Sequence, residues 1–194
     1  MGNKLLIYLV PALILGVVAW LSLRSHGPRA VGIGESVPAF SLPLASKSPA
    51  GSPGSVVQLA DYRDHVLVLN FWAPWCPPCV EEAPSLEDFA AKVRPMGVEV
   101  LGASECHDCE VADEEDPAAL GAFISKFRIS YPIAHDRSRL LATRYGTLQF
   151  PETYIIDRRG HLAEKIIGAM DWNDPRMLAF VRELAQPNQQ QARN

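Results

Sequence analysis

Two cysteine pairs in this chain share one spacing, Cys76/Cys79 and Cys106/Cys109. Two residues between cysteines suit either a small reducible disulfide or half of a metal site. For the first pair the context favours redox chemistry. Trp75-Cys76-Pro77-Pro78-Cys79 sits where a continuous apolar run gives way to a helical pattern. At a helix N-terminus the unpaired N–H groups and the dipole favour a thiolate and lower its pKa. Proline fits a first helical turn, so Pro77 and Pro78 rigidify the loop without breaking the helix. They supply no N–H, which leaves the Cys79 N–H and the dipole to stabilise a Cys76 thiolate. A zinc site needs four ligands, and this motif has no others nearby. Cys76, expected at the exposed end, is then the attacking sulfur, and Cys79, deeper in the helix, resolves the mixed disulfide. Glu81 and Glu82 complement the dipole but oppose a nearby thiolate.

The second pair lies in a different field. From Glu105 to Asp116 there are seven acidic residues and no basic one. Negative charge disfavours thiolates, so Cys106 and Cys109 are expected to be sluggish nucleophiles. Three readings stand side by side: a structural disulfide, a second redox pair exchanging with the first, or a metal site built from Cys106, His107, Cys109 and a carboxylate.

The elements that must hold the first pair follow from hydrophobic periodicity. His65 to Trp72 is a largely apolar run of strand length, as expected of a strand covered on both faces. The helix from Cys79 to about Arg94 has Leu86, Phe89, Ala90 and Val93 on one face. Upstream, Val37–Leu44 and Val56–Leu59 predict a hairpin around the polar stretch 46–55. Downstream, Val98–Ala103 predicts a strand, and Asp116-Pro117 caps a helix with Leu120, Phe123, Ile124 and Phe127 inward. Arg137–Tyr145 predicts a short helix ended by Gly146, with His135-Asp136 opening the loop before it. Thr153–Asp157 and His161–Ile167 predict a hairpin, and Asp174-Pro175 caps a last helix to about Ala185. Alternation of strands and helices calls for a central sheet sandwiched by helices, an α/β fold.

Composition narrows the function classes. The chain has 194 residues, 48% hydrophobic and 21% charged, with a formal net charge of −4. No Lys/Arg stripe exists to bind a phosphate backbone, which excludes nucleic acid as partner. Leu5 to Leu23 is an uncharged run; at ~1.5 Å per residue it spans roughly 28 Å, close to the ~30 Å hydrocarbon core. It is longer than a signal-peptide core and lacks an A-x-A site, which points to an uncleaved anchor. The expected organisation is a stub (1–4), an anchor (5–23), a Ser/Gly/Pro linker (24–35), one domain (36–186) and a polar tail (187–194).

Phe71-Trp72-Ala73-Pro74-Trp75-Cys76-Pro77-Pro78-Cys79, with Tyr145-Gly146 and Phe150-Pro151-Glu152-Thr153 further on, resembles the thioredoxin-like TlpA/ResA/DsbE group over roughly Gly34 to Ala185. The resemblance implies a thioredoxin fold with an N-terminal β-hairpin and a central insertion. It implies a membrane-anchored, extracytoplasmic (periplasmic) thiol–disulfide oxidoreductase whose only redox group is its disulfide, with no separate cofactor or metal. Several members serve cytochrome c maturation, so apocytochrome c and other secreted thiol proteins are the implied substrates, and a membrane thiol-electron transporter the implied electron donor. The resemblance makes Pro151 a cis-proline facing the disulfide, with the Phe150 peptide offered to an incoming chain in β fashion. Trp75, Pro77 and Pro78 complete the implied active-site support. Two departures stand out. Thioredoxin has a buried aspartate where this chain has Asn70, so proton handling at Cys79 falls to water or another acid. The group often places a glutamate after the next strand, and Glu105 is the nearest match.

Two rival functions remain. A thiol peroxidase of related fold has a threonine where this chain has Ala73. A Cu(I) metallochaperone would use the soft thiols, although the implied cis-proline characteristically blocks metal capture in this fold.

Overall fold

The computed structural model describes residues 10, 11, 13–20, 30–45, 51–104, 117–136 and 139–187. Ser41–Pro43 (β1) and Val56–Gln58 (β2) form an antiparallel hairpin. Val66–Trp72 (β3) leads into Pro77–Val93 (α1), followed by Val98–Ser104 (β4). Pro117–Phe127 (α2), Ile133–His135 (β5) and Leu140–Tyr145 (α3) precede the pair Glu152–Ile156 (β6) and Leu162–Ile167 (β7). Pro175–Ala185 (α4) is the last helix. Five strands order as β5-β4-β3-β6-β7, with β3 parallel to β4 and antiparallel to β6. The sheet is mixed.

Every residue of β3 is buried. Alternation along a strand sends successive side chains to opposite faces, and two core clusters result. Val66 and Val68 join Phe89 and Val93 of α1, Val181 of α4 and Phe123 of α2. Leu67, Leu69 and Phe71 join Leu141 and Tyr145 of α3, Tyr154 of β6, and Leu42 and Val57 of the hairpin. By the same parity Asn70 faces α1, which places its amide in reach of a helix side chain. Gly102 of β4 makes room for Trp72: a Cβ there would lie 2.8 Å from the indole Nε1.

Several predicted boundaries move. The first strand is three residues instead of the predicted Val37–Leu44, because Pro38 has no N–H to give a ladder. Leu44 instead bridges Ala134. Leu59 leaves β2 for a 3₁₀ turn. Helix α1 starts at Pro77, two residues early, with both prolines in its first turn. Helix α3 begins at Leu140 after Arg139, which has φ +53°, and not at Arg137. His135 does not open a loop: Ile133–His135 is a strand pairing with Gly102–Ser104. The Asp136 carboxylate accepts from the Ala142 N–H at 2.9 Å. Of the apolar run 5–23, residues 10, 11 and 13–20 are described and helical. Among the described residues no helix is long and apolar enough to cross a membrane.

Candidate active site

The site is built at the C-terminal end of β3. After Trp72 the chain turns through Ala73-Pro74-Trp75, with the Cys76 N–H donating to the Ala73 carbonyl at 3.2 Å. Cys76 is the N-cap of α1 (φ −86°, ψ 110°), and Pro77 and Pro78 occupy the first two helical positions. Those positions leave their N–H groups unpaired in any helix, so proline loses nothing there. The Cys79 N–H donates to the Cys76 sulfur at 3.3 Å, and the Val80 N–H to the Cys76 carbonyl at 3.1 Å. Cys76 and Cys79 are joined as a disulfide with Cα atoms 5.3 Å apart. The arrangement can do one chemistry readily: opened by two electrons, it yields a thiolate at a helix N-terminus with a second thiol three residues on.

One expectation is corrected. Cys76 was expected at the exposed end, yet it is 3% exposed, and Cys79 is 2%. The Cys76 sulfur turns back toward the Cys79 N–H and into an apolar cluster with Trp72, Ala73 and Ala83, against which Phe150 packs. Trp75 is 56% exposed, its ring set edge-on to that of Phe150 at 6.1 Å. The Phe150–Pro151 peptide is cis. Register puts Glu152 opposite Phe71, so Pro151 lies at the same sheet edge as the cysteine pair. Of the other residues singled out in the sequence, Pro77 is exposed and Pro78 half-buried, while Glu105, Cys106 and Cys109 lie outside the described residues.

Glu82 is the residue whose setting sequence reasoning missed: the chain alone shows it near the helix start, and the structure buries it at 4% exposed. Its Oε1 accepts from Asn70 Nδ2 at 3.0 Å, and its Oε2 from the Trp172 indole N–H at 3.2 Å. Asn70 Nδ2 also donates to Thr153 Oγ1 at 2.9 Å, so both amide hydrogens are used. Burial pushes the Glu82 carboxyl above its ordinary value of 4.5, against the opposing hydrogen bonds from Trp172, Asn70 and the Met170 backbone. Where thioredoxin carries a buried aspartate, this chain has Asn70, whose amide holds the buried Glu82 carboxylate of α1. A signal existed: Cys79, Glu82, Ala83, Leu86, Phe89, Ala90 and Val93 are one buried stripe, and a carboxylate inside such a stripe is unusual.

A second buried carboxylate, Glu152, secures the loop that carries Pro151. Glu152 is 1% exposed and pairs with Lys165 Nζ at 2.6 Å. It also accepts from the Leu148 N–H at 3.3 Å and from the Tyr154 hydroxyl. Lys165 in turn donates to the Gly146 carbonyl at 3.3 Å. The loop from Gly146 to Pro151 is thereby tied to β6 and β7.

The Glu82 shift has a testable sign. A native carboxyl raised above its unfolded value is best accommodated protonated, so its stabilising share is complete below about 4.5. That share is lost as pH rises through the native value. Glu82→Gln does not titrate. Its stability relative to wild type should therefore improve steadily as pH climbs above 4.5, read from urea midpoints across a pH series; a constant difference would contradict the assignment.

A five-stranded sheet in this order, with a reducible disulfide where the central strand meets its helix, is the thioredoxin arrangement, and the protein is a thiol–disulfide oxidoreductase of that class. Residues 33–165 match the AhpC/TSA family, and the chain belongs to it. It is similar to the thiol-disulfide oxidoreductase ResA of Oceanobacillus iheyensis, 28% identical over 183 residues covering 94% of this chain and 87% of that protein. The thioredoxin-like protein YneN of Bacillus subtilis is 28% identical over 176 residues, covering 88% of this chain and 93% of YneN. Among solved structures, a putative thiol:disulfide interchange protein DsbE from Chlorobium tepidum superposes with a TM-score of 0.65 at 23% identity, covering 81% of this chain and all of that one. At that identity the likeness bears on the fold alone.

Proposed function

We propose that the protein reduces disulfides of extracytoplasmic proteins, tethered to the membrane by residues 5–23, with apocytochrome c thiols as a principal substrate class. The observation that carries this reading is the Cys76–Cys79 disulfide closed across the first turn of α1. In the reduced protein, the Cys76 thiolate attacks one sulfur of the substrate disulfide and releases the other as a thiolate. Cys79, deprotonated, then attacks the Cys76 sulfur, releases the second substrate thiolate and restores the Cys76–Cys79 bond. Two electrons pass to the substrate. Glu82, one turn below Cys79 and held largely protonation-ready by burial, is the group that takes the Cys79 proton. A membrane thiol-electron transporter resets the pair. Trp75, Pro77, Pro78 and the Phe150–Pro151 segment shape the surface on which the substrate chain lies.

The apolar run 5–23 and the resemblance to the TlpA/ResA/DsbE group support the location. In this scheme exchange requires neither Glu105 nor the Cys106/Cys109 pair.

Redox titration of wild type and of Cys106→Ser/Cys109→Ser tests the whole reading. One two-electron transition is expected, unchanged in the double variant and at a potential well below the ~−120 mV of a strong oxidant. Loss of the transition in the double variant would overturn the division of roles. A potential near that of an oxidant would reverse the direction, and stoichiometric Cu(I) retention by the reduced protein would replace exchange with metal carriage.

A further inference from the structure

Beside Trp75, the turn before Cys76, the first turn of α1 and helix α2 line a groove of about 340 Å³. Trp75 and Val80 form one wall, and Phe123, Lys126 and Phe127 the other. Its floor is firm. Phe123 is 7% exposed, with its ring 4.4 Å from that of Trp72 and 4.7 Å from that of Phe127. Lys126 is the one charged residue lining it among the described residues, with its Nζ 4.9 Å from the Phe127 ring centre.

We propose that this groove is a specificity subsite, taking a bulky apolar side chain that flanks the cysteine of a partner polypeptide, with Lys126 drawing an acidic residue beside it. The inference rests on the exchange reading above. Three observations carry it. The groove adjoins the redox site: Trp75 immediately precedes Cys76, meets the Phe150 ring edge-on and also lines the groove. A chain whose sulfur reaches Cys76 comes close to that indole, which brings its next side chains within reach of the groove. The volume sits at the lower end for small-molecule pockets, enough for a large side chain and too small for a bulky cofactor. Finally, a lone cation in a chain of net charge −4 gives this rim a sign opposite to that of the molecule, which selects acidic neighbours by attraction and repels basic ones.

The test uses the full chain, reduced, and two synthetic peptides carrying one cysteine as a mixed disulfide with glutathione. One peptide flanks the cysteine on both sides with Phe and Glu, the other with Ser and Lys. The readout is the ratio of the two reduction rate constants on the same protein, which cancels any change in thiol reactivity. Wild type should favour the Phe/Glu peptide about tenfold, the scale of one partly buried aromatic side chain. Lys126→Glu, at an exposed position, should cut that ratio by about fivefold, the upper range for an exposed charge pair. Ala122→Trp, which fills the groove from the exposed face of α2, should bring the ratio close to one.

Equal rates in wild type, or a ratio that neither variant moves, would overturn the proposal while leaving exchange intact. Self-association that Ala122→Trp abolishes would assign the groove to a second copy and overturn it too. Failure of wild type to reduce the small neutral bis(2-hydroxyethyl) disulfide would remove the exchange reading itself, and the subsite with it.

Discussion

Cys76→Ser should lower the rate of disulfide exchange by more than about 10³-fold, the scale on which removing a covalent nucleophile acts. A serine hydroxyl at the N-cap can still accept the Cys79 N–H, so α1 keeps its start and the fold survives. What it lacks is a thiolate: no sulfur–sulfur bond can form at position 76, and Cys79, 2% exposed, is covered by the first turn. Cys79→Ala behaves differently. Attack by Cys76 proceeds, but no second thiol releases the partner, so the covalent adduct accumulates instead of turning over. Stopped-flow reduction of a disulfide peptide separates the two, since Cys76→Ser gives no burst and Cys79→Ala a single burst without turnover. Comparable loss in both variants with no burst in either would mean that the two sulfurs do not have distinct roles.

Trp172→Ala should destabilise the protein by about 3–5 kcal/mol, the range for deleting a large aromatic from a core. Trp172 is 0% exposed and sits against Phe89 with ring centres 5.1 Å apart. It lies in the loop before α4, so its indole joins that loop to the centre of α1. The indole has a second task, because its Nε1–H donates to Glu82 Oε2 at 3.2 Å. Trp172→Phe isolates that task, keeping most of the packing and leaving a buried carboxylate oxygen without its donor at a cost of about 1–3 kcal/mol. The lost hydrogen bond is one of those opposing burial, so the Glu82 carboxyl moves higher still in this variant. The stability gap between wild type and Trp172→Phe should accordingly narrow below 4.5, where Glu82 is protonated in both proteins, and widen as pH rises. Denaturation midpoints at several pH values check both variants. A pH-independent gap for Trp172→Phe would mean that the indole only fills space.

The redox motif was legible because three independent signals agree at one place. The unbroken apolar run of β3, the prolines suited to a first helical turn and the cysteine spacing each require the same strand-to-helix handover. The cis bond before Pro151 came from resemblance; nothing in the local residues alone distinguishes it from an edge-strand proline. Strand β5 escaped because three residues hold too little periodicity to read, and its pairing with β4 is decided by tertiary contact. The burial of Glu82 was not legible because a glutamate soon after a helix start is ordinarily solvated. Its burial follows from Trp172, ninety residues away, and no local pattern reports a partner that distant. The burial of Cys76 has the same origin, since the apolar cluster it joins is assembled from α1, α2, α4 and the loop before β6. Roles that a single segment determines could be read from the chain, and roles that depend on which segments meet could not.

The most direct measurement mixes reduced full-length Cys79→Ala protein with a disulfide-bridged peptide and maps the resulting adduct by mass spectrometry after digestion. The peptide should be found bonded to the sulfur of Cys76, one per chain, and released by added dithiol. A folded protein that forms no adduct, or carries it on Cys106 or Cys109 instead, would contradict the assignment of Cys76 as the attacking sulfur.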